Sequence, residues 1–133
     1  MKNSIKNVIY YYESAYGPSI RINSISVNWL MNFKYCILQL KEEQVNEVVI
    51  DRLENVEVVN LKSLVLTKVN KAISPKVLLL EREEQETYFW VQDNEELNTL
   101  MGLVDALILH NQPGHQYLTS EEDGIIILLS YME

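Results

Sequence analysis

Along the first ninety residues, apolar and polar positions alternate or gather in short β-branched runs, and the elements this pattern predicts are mostly strands. Residues 5–12 are rich in Ile, Val and Tyr, side chains that fit a pleated, half-buried surface. Gly17-Pro18 punctuates a turn after them. Ile25, Val27 and Trp29 then alternate with Ser24, Ser26 and Asn28, a period of two that puts the apolar set on one face. Residues 34–40, with Tyr35, Cys36, Ile37 and Leu38, make another strand candidate, and 47–51 and 56–59 suit strands as well. Residues 61–69 fit either a helix or a strand; the alternation of Leu64 and Leu66 with Val65 and Thr67 favours the strand. Val77-Leu78-Leu79-Leu80 and Tyr88-Phe89-Trp90-Val91 flank an acidic segment and read as a hairpin with that segment at its tip.

The periodicity changes after residue 92. Leu97, Leu100, Met101, Val104, Leu107 and Ile108 recur at steps of three and four, the stripe of an amphipathic helix. Asp93 and Glu96 have the spacing of a capping box, and Glu95 and Glu96 complement the positive end of the helix dipole. Pro113-Gly114 closes the helix. Beyond it, Ile125-Ile126-Ile127-Leu128-Leu129 is a run of five apolar residues that implies a strand buried on both faces. The predicted fold class is α+β: an antiparallel or mixed β-sheet with one main C-terminal helix packed on one face. No internal repeat or linker is legible, so residues 1–133 read as a single domain.

A chain of 133 residues, 47% apolar, can bury roughly two-thirds of its unfolded surface and needs no cross-link to hold a core. Cys36 is the single cysteine, which points to a reducing compartment. The lysines near the N-terminus are followed only by Val8–Tyr12, too short for the core of a signal peptide, and no window approaches the ~20 apolar residues of a membrane span. The expected location is cytoplasmic, with no membrane contact.

Charge changes the picture more. The net charge is −8, and all 11 Lys and Arg lie at or before Arg82. From Glu83 onward there is no base, against Glu83, Glu84, Glu86, Asp93, Glu95, Glu96, Asp105, Glu121, Glu122, Asp123 and Glu133. Such a stretch repels phosphate backbones, which argues against nucleic-acid binding, and it attracts a basic protein partner. Acids also simply keep small proteins soluble.

Catalytic signatures are missing. Cys36 sits in an apolar run, where cysteine is a core filler. There is no phosphate-binding glycine loop and no Gly-x-Ser-x-Gly, and the paired glutamates all lie in polar stretches that read as solvated faces. We therefore expect no enzyme activity and no cofactor. The segment from His110 to Leu118 is distinctive: it concentrates both histidines, two glutamines and Tyr117 in the turn between the clearest helix and the most apolar strand. It either braces the helix–sheet seam or carries function; a small-ligand or metal site centred on His110, His115 and Tyr117 is the alternative reading.

The order helix, Pro113-Gly114-His115-Gln116-Tyr117-Leu118, acidic spacer, apolar strand and Ser130-Tyr131-Met132-Glu133 resembles small bacterial immunity proteins of polymorphic toxin systems. The match runs from about residue 95 to the end. It implies a cytoplasmic, non-enzymatic inhibitor that blocks a cognate toxin. Combined with the charge pattern, it gives the leading expectation: a monomer or homodimer whose carboxylates Glu83, Glu84, Glu86, Glu121, Glu122 and Asp123 occlude a basic active site, with Tyr88 or Trp90 as aromatic anchor.

Overall fold

The computed structural model describes residues 6–71, 76–82, 85–120, 122 and 124–133. Among the described residues nine strands form two mixed sheets, and two α-helices pack with them around a common core. The elements are β1 (Asn7–Ser14), β2 (Gly17–Ser24), α1 (Val27–Lys41), β3 (Glu47–Val49), β4 (Val56–Val59), β5 (Ser63–Lys68), β6 (Val77–Arg82), β7 (Gln85–Gln92), α2 (Asn94–His110), β8 (Gly114–Tyr117) and β9 (Ile126–Tyr131). One sheet has the order β4-β1-β2-β9-β8, the other β3-β5-β7-β6. This is the α+β class that the patterning predicts, with α2 against the sheet.

The second helix forms as its sequence dictates. Asp93 accepts from the Glu96 backbone N–H while the Glu96 carboxylate accepts from the Asp93 N–H, closing the capping box, and Asn111 ends the helix in a left-handed conformation at φ 46°. The hairpin of β6 and β7 and the buried strand β9 also stand where the pattern places them. Residues 25–40 do not. The two strands expected there are one helix, α1, capped by Ser26, whose side chain accepts from the Trp29 N–H. Over the few residues 25–29 a period of two imitates a strand. Across the longer span, Trp29, Leu30, Phe33, Ile37 and Leu40 form a helical stripe, and these are the residues that α1 buries. Strand β8 occupies a stretch read as a turn, and β2 begins at the Gly17-Pro18 read as one. Gly17, at φ 121°, supplies the left-handed conformation that lets β1 turn directly into β2.

The topology contains a repeat that the residues conceal. Hairpin β1–β2, helix α1 and the pair β3, β5 match hairpin β6–β7, helix α2 and the pair β8, β9. In each half the hairpin is antiparallel and the last two strands pair antiparallel with each other. Those last two strands join the other half's sheet: β9 runs parallel to β2, and β5 runs parallel to β7. The register corresponds residue by residue. Ile20 and Ile22 face Ile127 and Leu129, as Tyr88 and Trp90 face Leu64 and Leu66. The buried residues Leu30, Phe33, Ile37 and Leu40 stand at the same distances from Ser26 as Leu97, Leu100, Val104 and Leu107 stand from Asp93. The Met132 N–H donates to the Ser24 carbonyl and the Val69 N–H to the Gln92 carbonyl, both at 2.9 Å.

The exchange has an energetic consequence. Each sheet is assembled from both halves, so neither half buries its apolar set alone. One cluster accordingly joins Ile9, Phe33 and Ile37 to Trp90, Val104 and Leu129. The helices touch each other and are bridged by Lys34 and Asp105 at 2.6 Å. Where the sheets meet, the Tyr11 and Tyr88 rings stack at 5.7 Å. Strand β4 departs from the repeat: an added strand, parallel to β1, on an edge whose counterpart is β6.

Candidate recognition surface

Alternation along each strand of the larger sheet sends one set of side chains to the core and the other outward. The inward set is Ile9, Ile20, Ile22, Ile127, Leu129 and Tyr131, all in the core cluster. The register lays out the outward set in rows across the sheet. One row runs Val59, Tyr10, Arg21, Leu128, Tyr117; a second runs Val8, Asn23, Ser130, His115; a third runs Tyr12, Ser19, Ile126. Ile126 and Leu128 are buried but lie outside the core cluster. They are the floor of this outer face.

Tyrosine dominates what remains accessible. Tyr10 and Tyr12, neighbours on one face of β1, have ring centroids 5.3 Å apart and are half-buried. Tyr16, at the β1–β2 turn, is 70% exposed, and Tyr117 is 56% exposed. Between these last two lies a groove of about 330 Å³ lined by Thr119, Ser120 and Ile126. Four of the eight tyrosines of the chain therefore belong to this face. Each presents a large rigid ring with a polar tip, the combination that gives contact area at little entropic cost.

A polar network borders the aromatic rows. Arg21 Nε donates to Ser130 Oγ at 2.9 Å, and Ser130 Oγ donates to Asn23 Oδ1 at 2.9 Å. Arg21 Nη2 lies 3.3 Å from the Glu133 carboxylate. His115 Nδ1 is 3.0 Å from both oxygens of that carboxylate, and the His115 ring meets Tyr117 edge-on at 5.7 Å. A serine, a histidine and a glutamate are thus neighbours, but Ser130 Oγ is buried and engaged by Arg21 and Asn23. The arrangement orients the imidazole and fixes Arg21; it does not prepare a nucleophile.

The residues singled out in the sequence are distributed as follows. Gly114, His115, Gln116 and Tyr117 form edge strand β8, with His115 and Tyr117 outward and Gln116 opposite Leu129 on the inward register. His110 is exposed at the end of α2, and the groove beside Tyr117 includes neither histidine. Among the described residues no group of three His, Cys, Asp or Glu converges to hold a metal. Tyr88 and Trp90 are interior, 2% and 0% exposed, and so cannot anchor a partner: β7 is a central strand and its alternation turns both rings inward. Glu83, Glu84, Glu121 and Asp123 lie outside the described residues. Glu86 accepts from Tyr88 Oη at 2.5 Å, and Glu122 is exposed. The sequence patterning does not single out Tyr10, Tyr12, Tyr16 or Arg21; the i, i+2 spacing of Tyr10 and Tyr12 in β1 is the signal that places two of them on one face.

Folding pairs three of the late acids with bases at or before Arg82: Asp105 with Lys34, Glu96 with Lys76 and Glu133 with Arg21. The first pair joins the two helices and the last joins β2 to the end of the chain beyond β9, whereas Lys76 and Glu96 both belong to the second half. Burial, joined by the hydrogen bond to Glu86, raises the Tyr88 phenol. The hydrogen bond to Glu13, with burial, raises Tyr11 to about 12. No helix among the described residues is long and apolar enough to cross a membrane.

No protein-family model, curated protein or solved structure matches this chain.

Proposed function

We propose that this chain is a protein-binding inhibitor of the immunity type, and that it engages its toxin through the tyrosine face of the larger sheet. The observation that carries the reading is that face itself: Tyr10, Tyr12, Tyr16 and Tyr117 over an apolar floor of Ile126 and Leu128, on the side of the sheet away from the core cluster that the helices share. Aromatic rings around a dry floor, bordered by one arginine and a hydrogen-bonded rim, are the composition of an interface centre. The resemblance of the segment from about residue 95 to the end supports the immunity-type reading. Charge has the lesser part. With Glu96, Asp105 and Glu133 paired internally, the remaining excess of acid speeds encounter with a cationic partner, and the tyrosines hold the complex.

The test is binding between the purified chain and the toxin encoded by the neighbouring reading frame, measured by surface plasmon resonance with the wild type and Tyr117→Ser. The expected result is a tight complex that suppresses the toxin's activity, with dissociation accelerated in the variant. A complex that forms equally well with Tyr117→Ser and with Tyr16→Ser refutes the assignment of the face.

A further inference from the structure

The groove between Tyr16 and Tyr117 has a composition that discriminates among the side chains a partner can insert. Its volume of about 330 Å³ has room for one large side chain. Ile126 and Thr119, each 7% exposed, give it a buried base, and the two accessible tyrosines border it. The Thr119 hydroxyl is committed to its own chain: it donates to the Ile125 carbonyl and accepts from the Ile127 N–H, both at 2.6 Å.

The charges around the groove have one sign. Among the described residues no lysine, arginine or histidine lines it. Arg21, in the adjoining row of the sheet, is tied to Ser130 and Glu133. Glu122, two residues beyond Ser120, is exposed and forms no ion pair among the described residues. The segment that leaves the groove therefore carries an unneutralised carboxylate, on a chain whose net charge is −8.

We infer that this groove takes an arginine from the contact surface of the partner. The inference rests on the tyrosine face being the contact face, and it names the residue that the face captures. An acidic side chain is repelled there, and an aliphatic one uses the base of the groove alone. Arginine uses every feature: its methylene stem lies on Ile126 and Thr119, its planar guanidinium meets the tyrosine rings, and its charge complements the local excess of acid. Lysine fits less well, because its compact ammonium is more strongly hydrated and cannot stack.

The probes are acetyl-Gly-Arg-Gly-amide and the same peptide with citrulline for arginine, which keeps the size of the head group and removes its charge. Each is titrated at low salt into the isotope-labelled full chain, with amide shifts read at Tyr16, Tyr117, Thr119, Ser120 and Ile126. The expected result is that the arginine peptide moves these amides and binds at least about fivefold more tightly than the citrulline peptide. Tyr16→Leu and Tyr117→Leu each narrow that ratio, since leucine keeps the border apolar and removes only the negative face of the ring. Absence of any shift with the arginine peptide overturns the inference, as does equal affinity of the two peptides or a ratio unchanged in both leucine variants. Tighter binding of acetyl-Gly-Leu-Gly-amide also overturns it, by making the groove an aliphatic pocket. So does a concentration-dependent dimer that moves the same amides without peptide, by showing that a second copy fills the groove. If arginine is not preferred but Tyr117→Ser still weakens the toxin complex, the tyrosine face stands and this inference alone falls. If the toxin binds Tyr117→Ser and Tyr16→Ser as it binds the wild type, the face is refuted and the inference falls with it, whatever the peptides show.

Discussion

Replacing Leu129 with alanine tests the interlocked architecture directly. Leu129 lies in β9, contributed by the second half, but its ladder partner is Ile22 of the first half, and its side chain is fully buried in the shared cluster. Truncating a fully buried leucine removes its transfer free energy and leaves a cavity, about 2–5 kcal/mol in all. The site is enclosed by strands on both sides, so little relaxation is available, and about 3 kcal/mol is the working figure. Against a total stability of about 5–15 kcal/mol the variant stays folded at 25 °C. Its melting temperature falls by roughly 10 °C. The useful assay is local. Trp29 reports on the first half and Trp90 on the second, and among the described residues neither indole N–H has a hydrogen-bond partner, so a change to phenylalanine gives up ring volume but no hydrogen bond. In Trp29→Phe and Trp90→Phe backgrounds, urea unfolding followed by the remaining tryptophan should shift by the same free energy on Leu129→Ala. If the two probes separate, with one half melting at lower urea than the other, the argument that neither half buries its core alone is wrong.

Other consequences are open to measurement. Asp93→Ala and Ser26→Ala each remove a side-chain acceptor at a helix N-terminus and should each cost about 1 kcal/mol in denaturant unfolding, a matched pair because the two caps occupy equivalent positions. Tyr117→Ser, at an exposed position, should leave the melting temperature within a degree or so of wild type while costing more than about 1 kcal/mol in binding to the toxin partner proposed above. Alkaline pH should destabilise the fold. The Tyr11 phenol is raised from 10.0 to about 12 and Tyr88 is raised as well, so the native state holds these protons more tightly than the unfolded chain. Their contribution is complete below pH 10 and is lost as pH climbs toward 12. Tyr11→Phe with Tyr88→Phe should flatten that limb of a pH-stability curve recorded by circular dichroism.

Patterning along the chain was enough for the elements whose signals are long or redundant. The stripe from Leu97 to Ile108, reinforced by its capping box, leaves one conformation open to residues 94–110. The run from Ile125 to Leu129 has no polar position to offer water, so β9 has to be interior. Sequence periodicity failed where a short window satisfied two periods, as at residues 25–29, where only the Ser26 cap and the continuation to Leu40 select the helix. Other features were decided by tertiary structure alone. The repeat is invisible in the residues because the equivalences join unlike side chains, Ile22 with Trp90 and Lys68 with Tyr131, that share only a place in a ladder. The charge pattern along the chain is partly offset in the fold because distance along a chain is not distance in space: contact between the helices brings Lys34 to Asp105, and the pairing of β9 with β2 brings Arg21 to Glu133. The same pairing sets Tyr10 and Tyr12 of the first strands in one face with Tyr117 of the second half, and a sheet face, unlike a helix stripe, is assembled from strands far apart in sequence.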